Sequence, residues 1–356
     1  MRILQVIPVL DMAGAETMCQ NLSVELHKMG HDVLVISLYT KETPLTENLR
    51  KNGVPVVFLG KKTGLDILCF YRLYREIQKF QPDVVHSHIY AGKYAHIAAS
   101  AASVKVKVHT VHSIAQKEAD TNDKKLNRFL FKKMGVLPVA LSEEVRQSIA
   151  EVYHLNPKEI PIACNGIPME RCDPCSAYPK TATNFIHVGR FGEEKNHENL
   201  IRGFVKVHEQ HPTIQLRLYG DGPLRQDMED LVAELRAQDF IHFMGLTNDV
   251  YGAMAKADVF ILPSIYEGMP MTLIEAMATG LPIITTPVGG IVDMLEDGKE
   301  AAFTGTDPAS IAESVSNLVD NVALRQTLGQ AARIKAKQFS AEAMAKKYLE
   351  IYSEGI

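Results

Sequence analysis

Two carboxylates eight positions apart, Glu267 and Glu275 in Ser264-Ile-Tyr-Glu267-Gly-Met-Pro-Met-Thr-Leu-Ile-Glu275, are the residues best spaced to bind a polyol. The run before them, Asp258-Val-Phe-Ile-Leu-Pro263, is apolar and ends in proline, as a buried parallel strand does, and helix formers fill 272–279. The pattern puts Glu267 in a strand-to-helix loop and Glu275 near the start of a helix. Open parallel sheets bind ligands outside the carboxyl ends of their strands, so both carboxylates face that position, and each can accept two sugar hydroxyls. A plainer role stays open for each: Glu275 as a complement to a helix N-terminus, Glu267 as a solvated loop residue.

A second group is cationic. Phe185-Ile-His-Val188 has the pattern of a strand, and Gly189-Arg190-Phe-Gly192-Glu-Glu-Lys195-Asn196 is a glycine-punctuated turn before a helical stretch over 199–210. Arg190 and Lys195 on one such loop suit a pyrophosphate, the guanidinium as a two-pronged donor and the ammonium as a point charge. Two solvated surface charges would give the same pattern. At the amino terminus, Arg2-Ile-Leu-Gln-Val-Ile7 reads as a strand running into a small-residue loop with Gly14-Ala15-Glu16, then a helix over 18–29. That loop matches neither a Walker loop nor a dinucleotide fingerprint, but it can offer backbone N–H groups to a phosphate.

Other residues invite metal or redox chemistry. Cys172-Asp-Pro-Cys175 lacks a second pair or a histidine cluster and reads as two linker thiols. His86, His88, His109 and His112 all fall near strand ends, without the spacing of a closed zinc site. Either His109 or His112 can reach the sheet edge, and His86 and His88 suit packing or an acceptor loop. No Asp-x-Asp motif offers to hold a divalent ion on a diphosphate. The expectation is therefore no metal and no tightly held cofactor.

The elements that must position these residues alternate strand-like and helical runs throughout, the mark of an α/β fold with parallel sheets. Strands are expected over 33–37, 56–59, 84–87, 106–111 and 139–141, then over 185–188, 215–219, 241–243, 259–262 and 283–286. A turn-rich stretch with three prolines between Asn165 and Thr183 is the natural linker. The 356 residues exceed one ordinary core, so two domains are expected: 1–168, a linker over 169–182, 183–340, and a final helix over 341–356.

Taken in order, Gly14-Ala15-Glu16, Gly189-Arg190-Phe191 with Lys195-Asn196, Tyr219-Gly-Asp-Gly-Pro223, Phe243-Met-Gly245 and Glu267 with Glu275 resemble the retaining glycosyltransferases of family 4 over nearly the whole chain. The resemblance implies the GT-B fold, two facing Rossmann-like domains with a cleft between them. It implies a first domain that binds the acceptor, a second that binds a nucleotide-diphosphate sugar as co-substrate, and a last helix that packs back on the first. Arg190 and Lys195 would then neutralise the departing diphosphate. Glu267, with the N–H groups of Gly268 and Met269, would bind sugar hydroxyls, and His112 would contact the donor sugar. Glu275 would hold the ribose, Thr272 and Leu273 would lie by the phosphates, Gly14 and Ala15 would donate N–H to the diphosphate, and Gly245 and Leu246 would meet the base. Ala13 departs from the family, where a glycine is common, and an alanine has less backbone freedom.

Charge is uneven: 23 Lys and Arg against 18 Asp and Glu in residues 1–180, and 15 against 24 in 181–356. Much of the basic excess lies over Lys117 to Lys133, where cations surround Leu126, Phe129, Leu130 and Phe131. This segment either rests on an anionic membrane or packs inward as an ordinary amphipathic helix. The acidic total and the lack of a recognition motif argue against nucleic acid. No run of 18 apolar residues occurs, and the chain opens into a strand instead of a signal peptide, so a cytoplasmic protein is expected, peripheral on the inner face of the membrane if that segment binds there. A UDP- or GDP-hexose donor and a glycan acceptor, lipid-linked or a surface-polysaccharide precursor, fit best. A nucleotide-sugar 2-epimerase and a non-catalytic nucleotide-sugar binder are the rivals.

Overall fold

β-Branched runs closed by glycine, proline or a capping side chain fold into twelve strands among the described residues, which are 1–118, 120–172 and 178–355 of the computed structural model. The chain divides into two compact units, 1–167 with 340–356, and 168–339. Cys175 and the middle of the expected linker lie outside the described residues.

In the first unit β1 (Arg2–Ile7), α1 (Gly14–Lys28), β2 (Asp32–Ser37), α2 (Pro44–Lys51), β3 (Val56–Phe58), α3 (Ile67–Phe80), β4 (Val84–His88), α4 (Gly92–Ala101), β5 (Val106–Val111), α5 (Ala115–Glu118), α6 (Thr121–Lys133), β6 (Val136–Ala140) and α7 (Glu143–Tyr153) follow one another. The parallel sheet has the order β3-β2-β1-β4-β5-β6. Strand succession reverses between β1 and β4, so the loops leaving those strands open a crevice at the sheet's carboxyl edge. β6 starts three residues before the expected Val139. Pro138 sits inside it opposite His109, which an edge strand tolerates because its missing N–H faces no further strand.

The second unit repeats the scheme: β7 (Asn184–Val188), α8 (His197–His208), β8 (Gln215–Tyr219), α9 (Arg225–Glu234), β9 (Ile241–Gly245), α10 (Val250–Met254), β10 (Val259–Leu262), α11 (Met271–Thr279), β11 (Ile283–Thr285), α12 (Ile291–Met294), β12 (Ala302–Phe303), α13 (Pro308–Val319) and α14 (Val322–Ala336). Its order is β12-β11-β10-β7-β8-β9, with the reversal between β7 and β10. Phe185, Phe204, Leu216, Leu218, Ile261 and Val315 belong to the core between sheet and helices.

One helix boundary differs from expectation, and a second helix shows where its apolar side lies. α1 begins at Gly14, four residues early, because Ala13 is extended and Thr17 N–H already donates to its carbonyl at 2.9 Å. In α6, Leu130 and Phe131 are buried with Val111, Val136 and Tyr153, and only Phe129 stands in solvent, so this basic helix spends most of its apolar side on the core. The final helix, α15 (Ala341–Ser353), is capped by Ser340 and packs on α1, with Tyr348 and Tyr352 fully buried.

Candidate functional site

The loop leaving β7 is pressed against the loop leaving β8, where Gly220 and Gly222 leave no room for a side chain. Gly189 N–H donates to Tyr219 O at 3.0 Å and Phe191 N–H to Asp221 O at 3.0 Å, which locks this loop to the one leaving β8. Gly220 takes φ +136, and a Cβ there would strike the Gly189 carbonyl. The turn then folds back: Asn196, at φ +58, donates its side-chain amide to Pro263 O at 3.1 Å and Thr306 O at 2.7 Å and opens α8. This geometry leaves Arg190 exposed, with no protein partner among the described residues, and carries Lys195 back toward β10.

Across the reversal point, Lys195 Nζ donates to Glu267 Oε1 at 2.5 Å, and Ser264 Oγ donates to the same oxygen at 2.6 Å. Both charged side chains are largely buried, Lys195 at 14% and Glu267 at 9% exposure. Ser264 is held in turn, since its carbonyl accepts from Thr286 Oγ1 at 2.6 Å. The β10 loop needs its own close approach: Gly289, at φ +59, lies so near the Glu267 carbonyl that any side chain would collide. The sequence placed Lys195 and Glu267 in separate roles; the structure joins them, leaving one Glu267 oxygen and two ammonium protons for other partners. Ser264 was missed, although a serine ending a strand three residues before a glutamate is a readable signal.

Glu275 is the fifth residue of α11, mid-helix instead of near its start, because the helix is only nine residues long and begins at Met271. A role as a helix-terminus charge is therefore gone. Burial pushes its carboxyl up to about 7, against the pull of the Arg171 charge and a hydrogen bond with Tyr251. The Arg171 guanidinium lies 5.1 Å from the Tyr251 ring centre. Neither companion was legible, since Arg171 and Tyr251 come from distant segments with no motif of their own. Thr272 is half-buried on the same first turns, and Leu273, Gly268 and Met269 are buried beside it. Gly245, at φ +72, ends β9, and Leu246 after it is 62% exposed.

The first unit presents a different surface at its own reversal point. The N-terminus of α1 has no side-chain cap, so the N–H groups of Gly14 and Ala15 are unmet by a capping residue. Ala13 has φ −135, ordinary extended backbone, so its difference from glycine costs nothing here. Burial raises Glu16 to about 7. His112, half-buried just after β5, shares a proton with His88, Nε2 to Nδ1 at 3.0 Å; His88 Nε2 then meets Gln5 Oε1 at 2.9 Å. His86 bonds Tyr352 Oη at 2.8 Å and Thr110 Oγ1 at 2.7 Å. Burial keeps these imidazoles neutral, His112 down to about 3 and His109 to about 4. His86 and His88 are thus packing residues, and His112 is the one that reaches the surface. His109 instead bonds Ser87 Oγ at 2.7 Å inside the fold.

These paired Rossmann-like units match known proteins along their length. The family described as Glycosyltransferase Family 4 matches residues 12–171, and that described as Glycosyl transferases group 1 matches 175–335. Over 96% of this chain and 92% of the relative, the chain is 25% identical to the putative glycosyltransferase EpsF of Bacillus subtilis. It is 26% identical, over 75% of each, to the Escherichia coli UDP-Gal:alpha-D-GlcNAc-diphosphoundecaprenol alpha-1,3-galactosyltransferase. Anabaena Alr3699/HepE, solved in complex with UDP-glucose, superposes with a TM-score of 0.87 over 99% of each chain at 16% identity. A Rickettsia africae glycosyltransferase gives 0.82 at 21% identity, over 99% of this chain and 98% of that one. The chain belongs to the family 4 glycosyltransferases and has the GT-B fold.

Proposed function

We propose that the protein is a retaining, metal-independent hexosyltransferase that takes its sugar from a UDP- or GDP-sugar and passes it to a glycan, lipid-linked or a precursor of surface polysaccharide. The observation that carries this reading is the Lys195–Glu267–Ser264 cluster across the reversal point of the second sheet, with Arg190, which has no side-chain partner among the described residues, on the loop of Lys195, and a buried Glu275 on the helix after Glu267. A ligand with anionic, polyhydroxyl and ribose parts uses all of them. The Escherichia coli relative is named for a UDP-sugar and a diphosphoundecaprenol acceptor, and Alr3699/HepE holds UDP-glucose, which supports the donor and acceptor classes.

In this mechanism Arg190 and Lys195 face the leaving diphosphate, whose charge grows as the glycosidic bond breaks; fixed cations act most strongly on developing charge. Glu267 spends its free oxygen on sugar hydroxyls, with the N–H groups of Gly268 and Met269 alongside. Glu275, ionised, accepts both ribose hydroxyls; Thr272 and Leu273 lie by the phosphates, and Gly245 with the exposed Leu246 meets the base. In the first unit, the uncapped N–H groups of Gly14 and Ala15 suit a phosphate, and the neutral His112 suits a sugar hydroxyl. The acceptor attacks the face that the diphosphate leaves, through an oxocarbenium-like state, and a departing phosphate oxygen takes the acceptor proton. No helix among the described residues is long and apolar enough to cross a membrane. On this reading a lipid-linked acceptor is met at the membrane surface by a peripheral, cytoplasmic enzyme.

The test is transfer from UDP- and GDP-hexoses to polyprenyl-diphosphate-linked glycans, with the anomeric configuration of the product read by NMR and EDTA present in half the reactions. An α-linked product from an α-linked donor, formed equally with EDTA, is the expected result. An inverted product removes the retaining mechanism, and activity lost to EDTA removes metal independence.

A further inference from the structure

Four large apolar side chains stand in solvent within seven residues of the first unit: Leu65 at 73% exposure, Ile67 at 74%, Leu68 at 66% and Tyr71 at 57%. α3 needs none of them for its core, because Cys69, Leu73 and Ile77 already form its buried stripe. The amino-terminal turn of this helix is therefore apolar on both sides. It is also firmly mounted. Asp66 caps the helix by accepting Cys69 N–H at 3.1 Å, accepts Lys62 N–H at 3.0 Å, and pairs with Arg72 at 2.8 Å, while its own N–H donates to Tyr94 Oη at 3.1 Å.

Cations outnumber acids in the loop before this tip and along the helix behind it. Residues 61–79 hold five Lys and Arg against two Asp and Glu, and one of the two acids is the buried cap Asp66. Lys62, Arg75 and Lys79 are exposed. A groove between β3 and α3 runs beside Tyr71, lined by Phe58, Arg72, Arg75, Glu76 and Lys79, with Lys79 4.0 Å from the Glu76 carboxylate. By contrast, α6 offers solvent only Phe129 of its four apolar residues near the lysines.

We infer that the amino-terminal tip of α3, Leu65 to Tyr71, seats in the headgroup–acyl boundary of an anionic bilayer, with Lys62, Arg75 and Lys79 on lipid phosphates. An exposed apolar turn with exposed cations before it and along its helix gains from both the apolar boundary and the surface potential of such a membrane. A second copy of the chain fits less well. A two-fold contact would set the patch against itself and bring like charges together. Four side chains also cover less than the ~800 Å² per partner of a stable interface. The contact does not depend on the donor or on the reaction.

The test is sedimentation of the full chain with vesicles of phosphatidylcholine alone or with phosphatidylglycerol added, without nucleotide or acceptor. The wild type partitions onto the phosphatidylglycerol vesicles and only weakly onto phosphatidylcholine. Ile67→Ser with Leu68→Ser and Tyr71→Ser lowers that partition at least about tenfold with an unchanged melting curve. Lys62→Glu with Arg75→Glu lowers it too and flattens its salt dependence, and Phe129→Ser leaves it within about twofold. The inference is overturned if the triple variant partitions like the wild type, if phosphatidylcholine binds equally well, or if light scattering shows that the triple variant instead breaks a dimer.

Discussion

Glu275 is a carboxylate held at the edge of ionisation. Burial raises it to about 7, and the proposed role of accepting two ribose hydroxyls requires it ionised, so donor binding would then have to pull a proton off below that pH. Donor affinity is therefore expected to be level above pH 7 and to weaken by up to about tenfold per unit below it. Glu275→Gln should bind donor more weakly by about 1.5–3 kcal/mol and lose this pH dependence, a pair of results that titration calorimetry between pH 6 and 8 would read. Arg190 and Lys195 separate in a different way. Arg190 is exposed and has no side-chain partner among the described residues, so Arg190→Ala should lower kcat without moving the melting temperature. Lys195 supports the buried Glu267, so Lys195→Ala should lower kcat and also cost about 3 kcal/mol of stability, because it strands a buried carboxylate. Equal melting curves for the two variants would mean the Lys195–Glu267 pair is not a structural link.

At the scale of elements, loops matter more than helices. Gly220 holds the β8 loop against Gly189, so Gly220→Ala must displace the Arg190 loop; a loss of transfer together with roughly 3 kcal/mol of stability is expected, measured by activity and chemical denaturation. Tyr352→Phe leaves His86 Nδ1 without its 2.8 Å partner and should cost about 1–3 kcal/mol, seen as a lower melting temperature. The fold was largely legible at this scale, because apolar period and flanking glycine mark parallel strands well: β1, β5, β8 and β10 occupy the residues expected from pattern alone. β12 escaped because two residues carry no period. Glu267 and Lys195 could be picked out individually, but their bond could not, since it depends on a strand order that places β7 beside β10. Tyr251 and Arg171 had no signal at all, as their meeting with Glu275 is a tertiary accident of three separate segments.

At the scale of the molecule, buried titratable groups set the pH range in which the first unit holds together. His86, His88, His96, His109 and His112 are neutral when folded, all pushed down by burial. Each therefore gives stability that is present above its unfolded value near 6.5 and is lost as pH falls below it, at about 1.4 kcal/mol per unit. Glu16, raised to about 7, and Glu118, raised to about 8, work the other way, losing stability as pH rises from about 4.5 through those values. Five imidazoles against two carboxyls predict a melting temperature that peaks near pH 6.5–7 and falls more steeply on the acid side; calorimetric scans from pH 5 to 9 would show it, and a flat profile would contradict it.

The central claim is that the second unit reads a nucleotide-diphosphate sugar through Glu275, Glu267 and the Arg190–Lys195 loop. A thermal-shift titration of UDP-, GDP- and ADP-sugars against the wild type and Glu275→Gln tests it most directly. Stabilisation by one nucleotide family, reduced in the variant, is the predicted result. Stabilisation by none of them, or an equal shift in both proteins, would contradict the claim.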